Sequence, residues 1–349
     1  MAEDIELRVS RQIYRGWKRA SVTRSIETLS GTFRLSVTDR WEDDGAARTI
    51  RPGAECSVSV AGEKVIRGFV DLAAPRYSGS TRETSIEGRD RAGDLVDCSA
   101  VHDPDEWNNL RLNRLVEILA KPFGIGVTID VDPGEPFPKF KLQPGETAFA
   151  AIERLCRTRG VLPVSDGKGG LLLTRAGRRK APVALESLGP QGNVLAAEGE
   201  FADRERHSQY IVRGFTQGSD LAWADEARAE GRATDRAIRR HRPLLIVAEG
   251  QVDKKTAQER AQWEATIRAG RARRATYTVQ GWTARGQLWQ PNTVVAVRDS
   301  WLAINEDMLI ASVRYRRSEA GGTLTTLTVV HPDAFKLIPL PETDEEPGW

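Results

Sequence analysis

A mainly β protein with an α+β component is predicted by the sequence: two related antiparallel β-barrels joined by a small α+β unit. Three observations carry this. Apolar residues alternate with period two between turn signals from residue 5 to about 98, the period lengthens to near 3.6 between 107 and 155, and period-two segments return from 209 to 330. The predicted boundaries are 1–98 for the first barrel, 99–180 for the α+β unit, 181–345 for the second barrel with residues 217–270 inserted, and 339–349 for a mobile acidic tail.

In the first region Ile5, Leu7 and Val9 alternate with polar residues, and the pattern recurs at Phe33–Val37, Cys56–Val60, Val65–Leu72 and Thr84–Ile86. Asp43-Asp-Gly45, Arg51-Pro-Gly53 and Ala61-Gly62 supply turn residues where hairpins need them. Trp107, Leu110, Leu115, Ile118 and Leu119 then follow helical spacing, and Lys121-Pro-Phe-Gly124 stops that helix. A strand is expected over 125–131. A second helix begins at Thr147 as N-cap, with Phe149, Ile152 and Leu155 on one face, and a hairpin turns at Asp166-Gly-Lys-Gly-Gly170. Strands resume at 209–215, 275–282, 293–297, 307–315 and 322–330, interrupted by a helix over 254–269. In that helix Ala257, Ala261, Ala265 and Ala269 form a small-residue stripe, expected to pack against the second barrel.

Composition narrows the function classes. The 349 residues suit two or three domains, each able to bury a core. Lys and Arg (51) nearly balance Asp and Glu (49), which disfavours both a strongly basic nucleic-acid binder and an acidic disordered protein. Apolar runs fall far short of the roughly 20 residues of a membrane-spanning helix. The N-terminal residues alternate like a strand instead of forming a secretory signal. Three cysteines outside any Cys-x-x-Cys spacing indicate neither a disulfide framework nor a zinc site, and are expected in a reducing cytoplasm.

No motif specifies catalysis, a cofactor or a metal. His102-Asp103-Pro104-Asp105-Glu106 holds residue types for metal binding or acid–base work, but without a second His nearby it is read as a helix start capped by Asp side chains. Asp203, His207 and Ser208 are the residue types of a hydrolase triad, yet they are sequence neighbours and no Gly-x-Ser-x-Gly elbow accompanies them; they are read as a solvated connector. Gly167-Lys-Gly-Gly170 lacks the spacing of a phosphate loop and is read as a turn. Between Arg228 and Arg242 six arginines face two acids. On a helix Arg232, Arg236, Arg239 and Arg240 would form one cationic stripe; with Trp223 nearby they make a candidate subunit or partner interface, with the acidic tail 342–346 as a counter-charge. Ile66-Arg-Gly-Phe69 and Val212-Arg-Gly-Phe215 are an internal echo consistent with one strand of two related barrels.

Further strings carry a resemblance. Arg240-His-Arg-Pro-Leu-Leu-Ile-Val-Ala-Glu249, Gln262-Trp-Glu264, Val279-Gln-Gly-Trp282, Gly286-Gln-Leu-Trp-Gln-Pro-Asn292 and Met308-Leu-Ile-Ala-Ser-Val313 occur in the order and spacing of the Mu-type baseplate hub proteins of contractile phage tails, which the chain resembles. Glu87-Gly-Arg-Asp90, Pro144-Gly-Glu-Thr147 and His331-Pro-Asp-Ala-Phe335 extend the resemblance over nearly the whole chain. The family is related to the hub part of type VI secretion spike proteins. It implies a ring-shaped homotrimer with a central channel, joining the tail tube to the central spike. Implied partners are the spike, tube or distal tail proteins and baseplate wedge proteins, with DNA only as passing cargo; assembly would occur in the host cytoplasm, without cofactor or catalysis. Residues 142–149, with Ile152 and Gly160, also resemble the start of a LysM peptidoglycan-binding module. The alternative is therefore a peptidoglycan-binding or peptidoglycan-hydrolysing tail-tip protein; within a hub, the LysM-like stretch 142–174 belongs to the α+β unit.

Overall fold

A computed structural model describes residues 4–38, 50–78, 82–187, 192–215, 228–251 and 253–339. The first region forms β1 (Ile5–Val9), β2 (Gln12–Tyr14), β3 (Arg19–Ser25), β4 (Thr32–Thr38), β5 (Glu55–Val60), β6 (Glu63–Tyr77) and β7 (Arg82–Asp90). The turn Ala61-Gly62 behaves as expected: both residues adopt positive φ (49° and 82°), the conformation a tight hairpin requires. The turn at 43–45 lies outside the described residues. The middle contains α1 (Gly93–Asp97), β8 (Glu106–Leu110), α2 (Leu112–Ala120), β9 (Gly126–Ile129), β10 (Phe137–Lys141), α3 (Ala148–Arg159), β11 (Leu162–Ser165) and β12 (Gly170–Thr174). The last part contains β13 (Arg179–Lys180), β14 (Leu185–Glu186), β15 (Val194–Phe201), β16 (Gln209–Phe215), β17 (Arg228–Thr234), β18 (Pro243–Gln251), α4 (Lys254–Arg271), β19 (Arg273–Gln280), β20 (Thr283–Ala284), β21 (Gln287–Leu288), β22 (Thr293–Asp299), β23 (Ile304–Ser318) and β24 (Gly322–Val330).

The protein is mainly β, but its two β regions are not separate closed barrels. Among the described residues they form one 14-stranded sheet in the order β15-β19-β24-β23-β3-β4-β7-β6-β5-β1-β2, with β22 beside β23 and β13 and β14 parallel to β22. The joint is β23. Its first half, Ile304–Ile310, pairs with β22, whereas Ser312–Ser318 pairs with β3 of the N-terminal region. A register irregularity between Ile310 and Ser312 lies at the change of partner, and a strand of 15 residues, about 50 Å long, can serve both neighbours. One core accordingly draws on both halves, from Ile5, Leu7, Val58 and Ile66 to Tyr277, Trp282, Ile310 and Tyr315. Trp282 donates its indole N–H to the Arg316 carbonyl at 3.0 Å, and Tyr315 donates its hydroxyl to the Trp289 carbonyl, so these bulky side chains bring their polar atoms inside with partners.

The α+β unit has its own core. Leu112, Leu115, Val116 and Leu119 of α2 pack with Ile152 and Leu155 of α3, Phe140 of β10, and Leu171 and Leu173 of β12. The Thr147 side chain accepts from the Ala150 N–H at 3.1 Å, as its N-cap position predicts, and Gly160 ends α3 in the left-handed region (φ 61°). The first helix starts later than its periodicity predicts: Glu106–Leu110 is a strand paired with β10, with Asn109 at φ 53°. Trp107 stands opposite Phe140 in that ribbon, so its apolar spacing reflects cross-strand stacking at 6.3 Å and not a helix face.

The unit docks on the large sheet through the β11–β12 hairpin. Arg24 of β3 donates to the Ser165 carbonyl at 3.2 Å. Gly167 approaches β6 so closely that a Cβ would stand 2.5 Å from the Val65 carbonyl oxygen.

β16, β17 and β18 form a separate three-stranded sheet, with β17 antiparallel and β18 parallel to β16. The echoed segments are therefore not equivalent strands: β6 has antiparallel neighbours on both sides, and β16 does not. α4 covers this small sheet instead of packing its stripe on the large one. Ala257 and Ala261 are buried with Val212 and Ala229, whereas the helix turns Ala265 and Ala269 away from the buried face in favour of Glu264, Ile267 and Gly270. A helix face shifts by about 100° per residue, so a strict four-residue stripe drifts off the contact.

Candidate assembly surfaces

The candidate interface splits. Trp223, with the rest of residues 216–227, lies outside the described residues. The helix expected to align the arginines does not form: Arg232 sits in β17, and Arg236, Arg239 and Arg240 follow in the turn before β18. The physical reason lies in Gly231 and its neighbours, which pair residue for residue with β16 and gain a sheet partner that an isolated helix lacks. Arg213 and Glu230 stand directly opposite one another, and Glu230 accepts from Arg213 at 2.7 Å and from Arg232 at 2.6 Å. These two hydrogen-bonded guanidinium groups hold the Glu230 carboxyl below its ordinary value.

The following turn is pinned from below. Arg206 makes a two-pronged contact with Asp235 at 2.9 and 3.0 Å, Asp235 accepts from the Ala237 N–H at 3.0 Å, and Ile238 is buried. Arg236, Arg239 and Arg240 project into solvent from this frame, and none makes an ion pair with a described residue. Three cations are thus gathered by a turn, where the sequence placed them on a helix.

The cluster His102-Asp103-Asp105 is not a helix start. It precedes β8; α2 begins at Leu112 after Arg111, which makes no side-chain cap. His102 packs edge-on against Trp107, with ring centroids 5.6 Å apart, and partial burial holds its imidazole below its ordinary pKa. The residues 203–208 point to different partners. Asp203 bonds Arg206, His207 Nδ1 faces the Glu205 carbonyl at 3.1 Å, and the Ser208 hydroxyl accepts from the Arg242 N–H at 2.9 Å. In the glycine turn, Asp166 Oδ1 accepts from the N–H groups of Lys168 and Gly170, closing a hairpin. Among the described residues no group of three or more His, Cys, Asp or Glu is placed to hold a metal ion, and no helix is long and apolar enough to cross a membrane.

Two surfaces had no counterpart in the sequence reading. An open groove of about 610 Å³ runs between β18, α4 and the stretch Lys336–Pro339, lined by Ile246, Ala257, Arg260 and Trp263. Apolar side chains also stand exposed at Leu195, Phe201, Val247 and Trp301. The β alternation that marks these segments is legible; which face stays uncovered is not.

Comparison with known proteins gives these surfaces a setting. Residues 4–90 match the model for the N-terminal part of Mu phage baseplate assembly protein GpP-like proteins, 92–175 the second domain of baseplate hub protein gp44-like proteins, and 253–338 the fourth domain of Mu phage baseplate assembly protein GpP. The baseplate hub protein gp44 of Escherichia phage Mu is 31% identical over 356 aligned residues, covering 99% of this chain and 92% of that protein. The 43 kDa tail protein of prophage MuSo2 from Shewanella oneidensis is 39% identical and superposes with a TM-score of 0.85 over 96% of this chain and 100% of that one. A tail protein from Neisseria meningitidis MC58, 23% identical, shares the fold with a TM-score of 0.82 over 98% of this chain and 100% of its own.

Proposed function

The chain belongs to the baseplate hub proteins of Mu-like phage tails, and from that premise we propose that three copies form a ring whose central channel joins the tail tube to the central spike. A structural role in the tail baseplate follows from the family itself. The finer reading rests on one observation: both β regions belong to one continuous sheet, joined through β3 and β23, so each subunit brings two β units to a ring in fixed relative orientation. Three such subunits present six β units, which lets a sixfold tube meet a threefold spike. The role requires shape and no turnover.

In this reading the partners are two further copies, the spike, the tube or distal tail proteins and the wedge proteins, with DNA passing through and no cofactor held. Assembly takes place in the host cytoplasm. The Arg232, Arg236, Arg239 and Arg240 surface, together with Trp223, contacts a neighbouring subunit or another tail protein. The LysM-like stretch 142–174 is structural: its apolar residues Ile152, Leu155, Leu171 and Leu173 all serve the core of the α+β unit.

Counting subunits in assembled baseplates by cryo-electron microscopy tests the ring. Three copies are expected; two or six overturn it. A turbidity assay on peptidoglycan tests the alternative enzyme reading, and clearing by the purified chain would support it.

A further inference from the structure

The large sheet has two open ends of opposite character. At one end β15 pairs with β19 alone; apart from Asn193, which bonds Glu186 just before the strand, its outer edge meets no other strand among the described residues. Most of its side chains are exposed, with Leu195 60% and Phe201 52% exposed. The β22–β23 turn adds an apolar shelf beside it. Asp299, 3% exposed, accepts from the N–H groups of Trp301 and Leu302 at 3.0 and 3.1 Å, and this fixed turn holds Trp301 89% exposed. Phe201 and Leu302 both lie against Gly199, within about 3 Å of where a Cβ would be. The strand also carries Glu198, which has no ion-pair partner among the described residues, and Glu200, which pairs with Arg204 at 3.5 Å and stands across from Arg274.

At the other end β2 pairs with β1 alone. Its hairpin is basic: Arg8 and Arg11 are exposed and without ion pairs among the described residues, and Ile13 is 44% exposed. A long unpaired strand edge is a template for another chain, and natural proteins leave one open chiefly where it is used.

We propose that the β15 edge of one subunit receives the β1–β2 hairpin of a second copy, with Glu198 and Glu200 facing Arg8 and Arg11 on one face of the joined sheet. The contact joins opposite ends of the same sheet. It is therefore heterologous and repeats from subunit to subunit until rotation closes a ring. The proposal rests on the ring reading and names its seam.

The test is charge reversal in the full chain, with the oligomer mass followed by mass photometry at constant salt and copy number checked in assembled tails. E198R/E200R and R8E/R11E should each weaken ring formation at least tenfold with unchanged melting, and the variant carrying all four changes should regain it. A ring that persists unweakened in either double variant, or a fourfold variant that fails to recover, overturns the seam while leaving the ring. A single hub copy in assembled tails overturns both.

Discussion

Asp90 and Gly31 are bonded reciprocally: the Gly31 N–H donates to Asp90 Oδ2 at 2.7 Å, and the Asp90 N–H donates to the Gly31 carbonyl at 2.9 Å. The same carboxyl accepts from the Ala92 N–H at 2.9 Å. The carboxyl is 3% exposed and sits where β7 leaves the large sheet for the α+β unit, so it satisfies backbone groups that water cannot reach.

Replacing Asp90 with Ala leaves two buried N–H donors without acceptors and is expected to cost about 3 kcal/mol in a denaturant titration. Burial raises the Asp90 pKa above its ordinary value, outweighing the hydrogen bonds that lower it. The native state therefore binds this proton more tightly than the unfolded chain does. The stability contributed by the protonated carboxyl is fully present below the unfolded pKa and declines as pH rises through the folded one. The stability of the parent minus that of Asp90→Asn should accordingly fall as pH is raised from about 4. A difference that rises with pH would contradict the burial argument.

Gly231 is required by α4. A Cβ at this position would stand 2.2 Å from the Ala257 carbonyl carbon and oxygen, both backbone atoms that cannot swing aside. Gly231→Ala should destabilise by about 1–3 kcal/mol and expose α4 to limited proteolysis, while strands of the large sheet keep their hydrogen-exchange protection.

Reversing Arg236, Arg239 and Arg240 together to Glu should leave the melting temperature unchanged, because these side chains are exposed and make no ion pair with a described residue. Incorporation into baseplates should fall, with the difference shrinking at high salt as screening removes the charge term. Equal incorporation at low salt would make this turn ordinary surface.

Replacing Asp103 and Asp105 with Ala, leaving His102 against Trp107, should change stability by no more than about 0.5 kcal/mol, since neither caps a helix. A loss near that of a helix cap, about 1 kcal/mol, would return them to a capping role. The measurement is a urea titration of the double variant beside the parent.

The three cysteines are free, with Cys98 exposed and Cys56 and Cys156 buried. Burial, aided by the Asp71 charge, pushes the Cys56 thiol up to about 12, and burial raises that of Cys156 further. A thiol reagent at neutral pH should modify one cysteine per folded chain, Cys98, and all three after denaturation. Three fast equivalents from folded protein would contradict the packing around Cys56 and Cys156.

By itself the sequence determined the elements whose cause is local. Thr147 caps α3 because its hydroxyl meets the Ala150 N–H three residues on, Ala61-Gly62 turns because Gly62 enters positive φ without steric cost, and alternation marked β19, β22, β23 and β24 because a half-buried strand repeats every two residues. The full-length run of motifs likewise placed the chain in its family. Tertiary structure decided what depends on distant partners. Ser312–Ser318 pairs along one edge with β24 of its own half, and only the packed core shared by Ile5 and Tyr315 brings β3 to its other edge, turning two expected barrels into one sheet. Arg232 follows helical spacing with Arg236 and Arg239, yet Ile211 stands across from it and draws it into β17. Trp107 and Leu110 fit a helix until Phe140 and Phe137 pair opposite them. In each case the same apolar or charged spacing satisfies two local structures, and the partner, tens or hundreds of residues away, sets which one lowers the free energy.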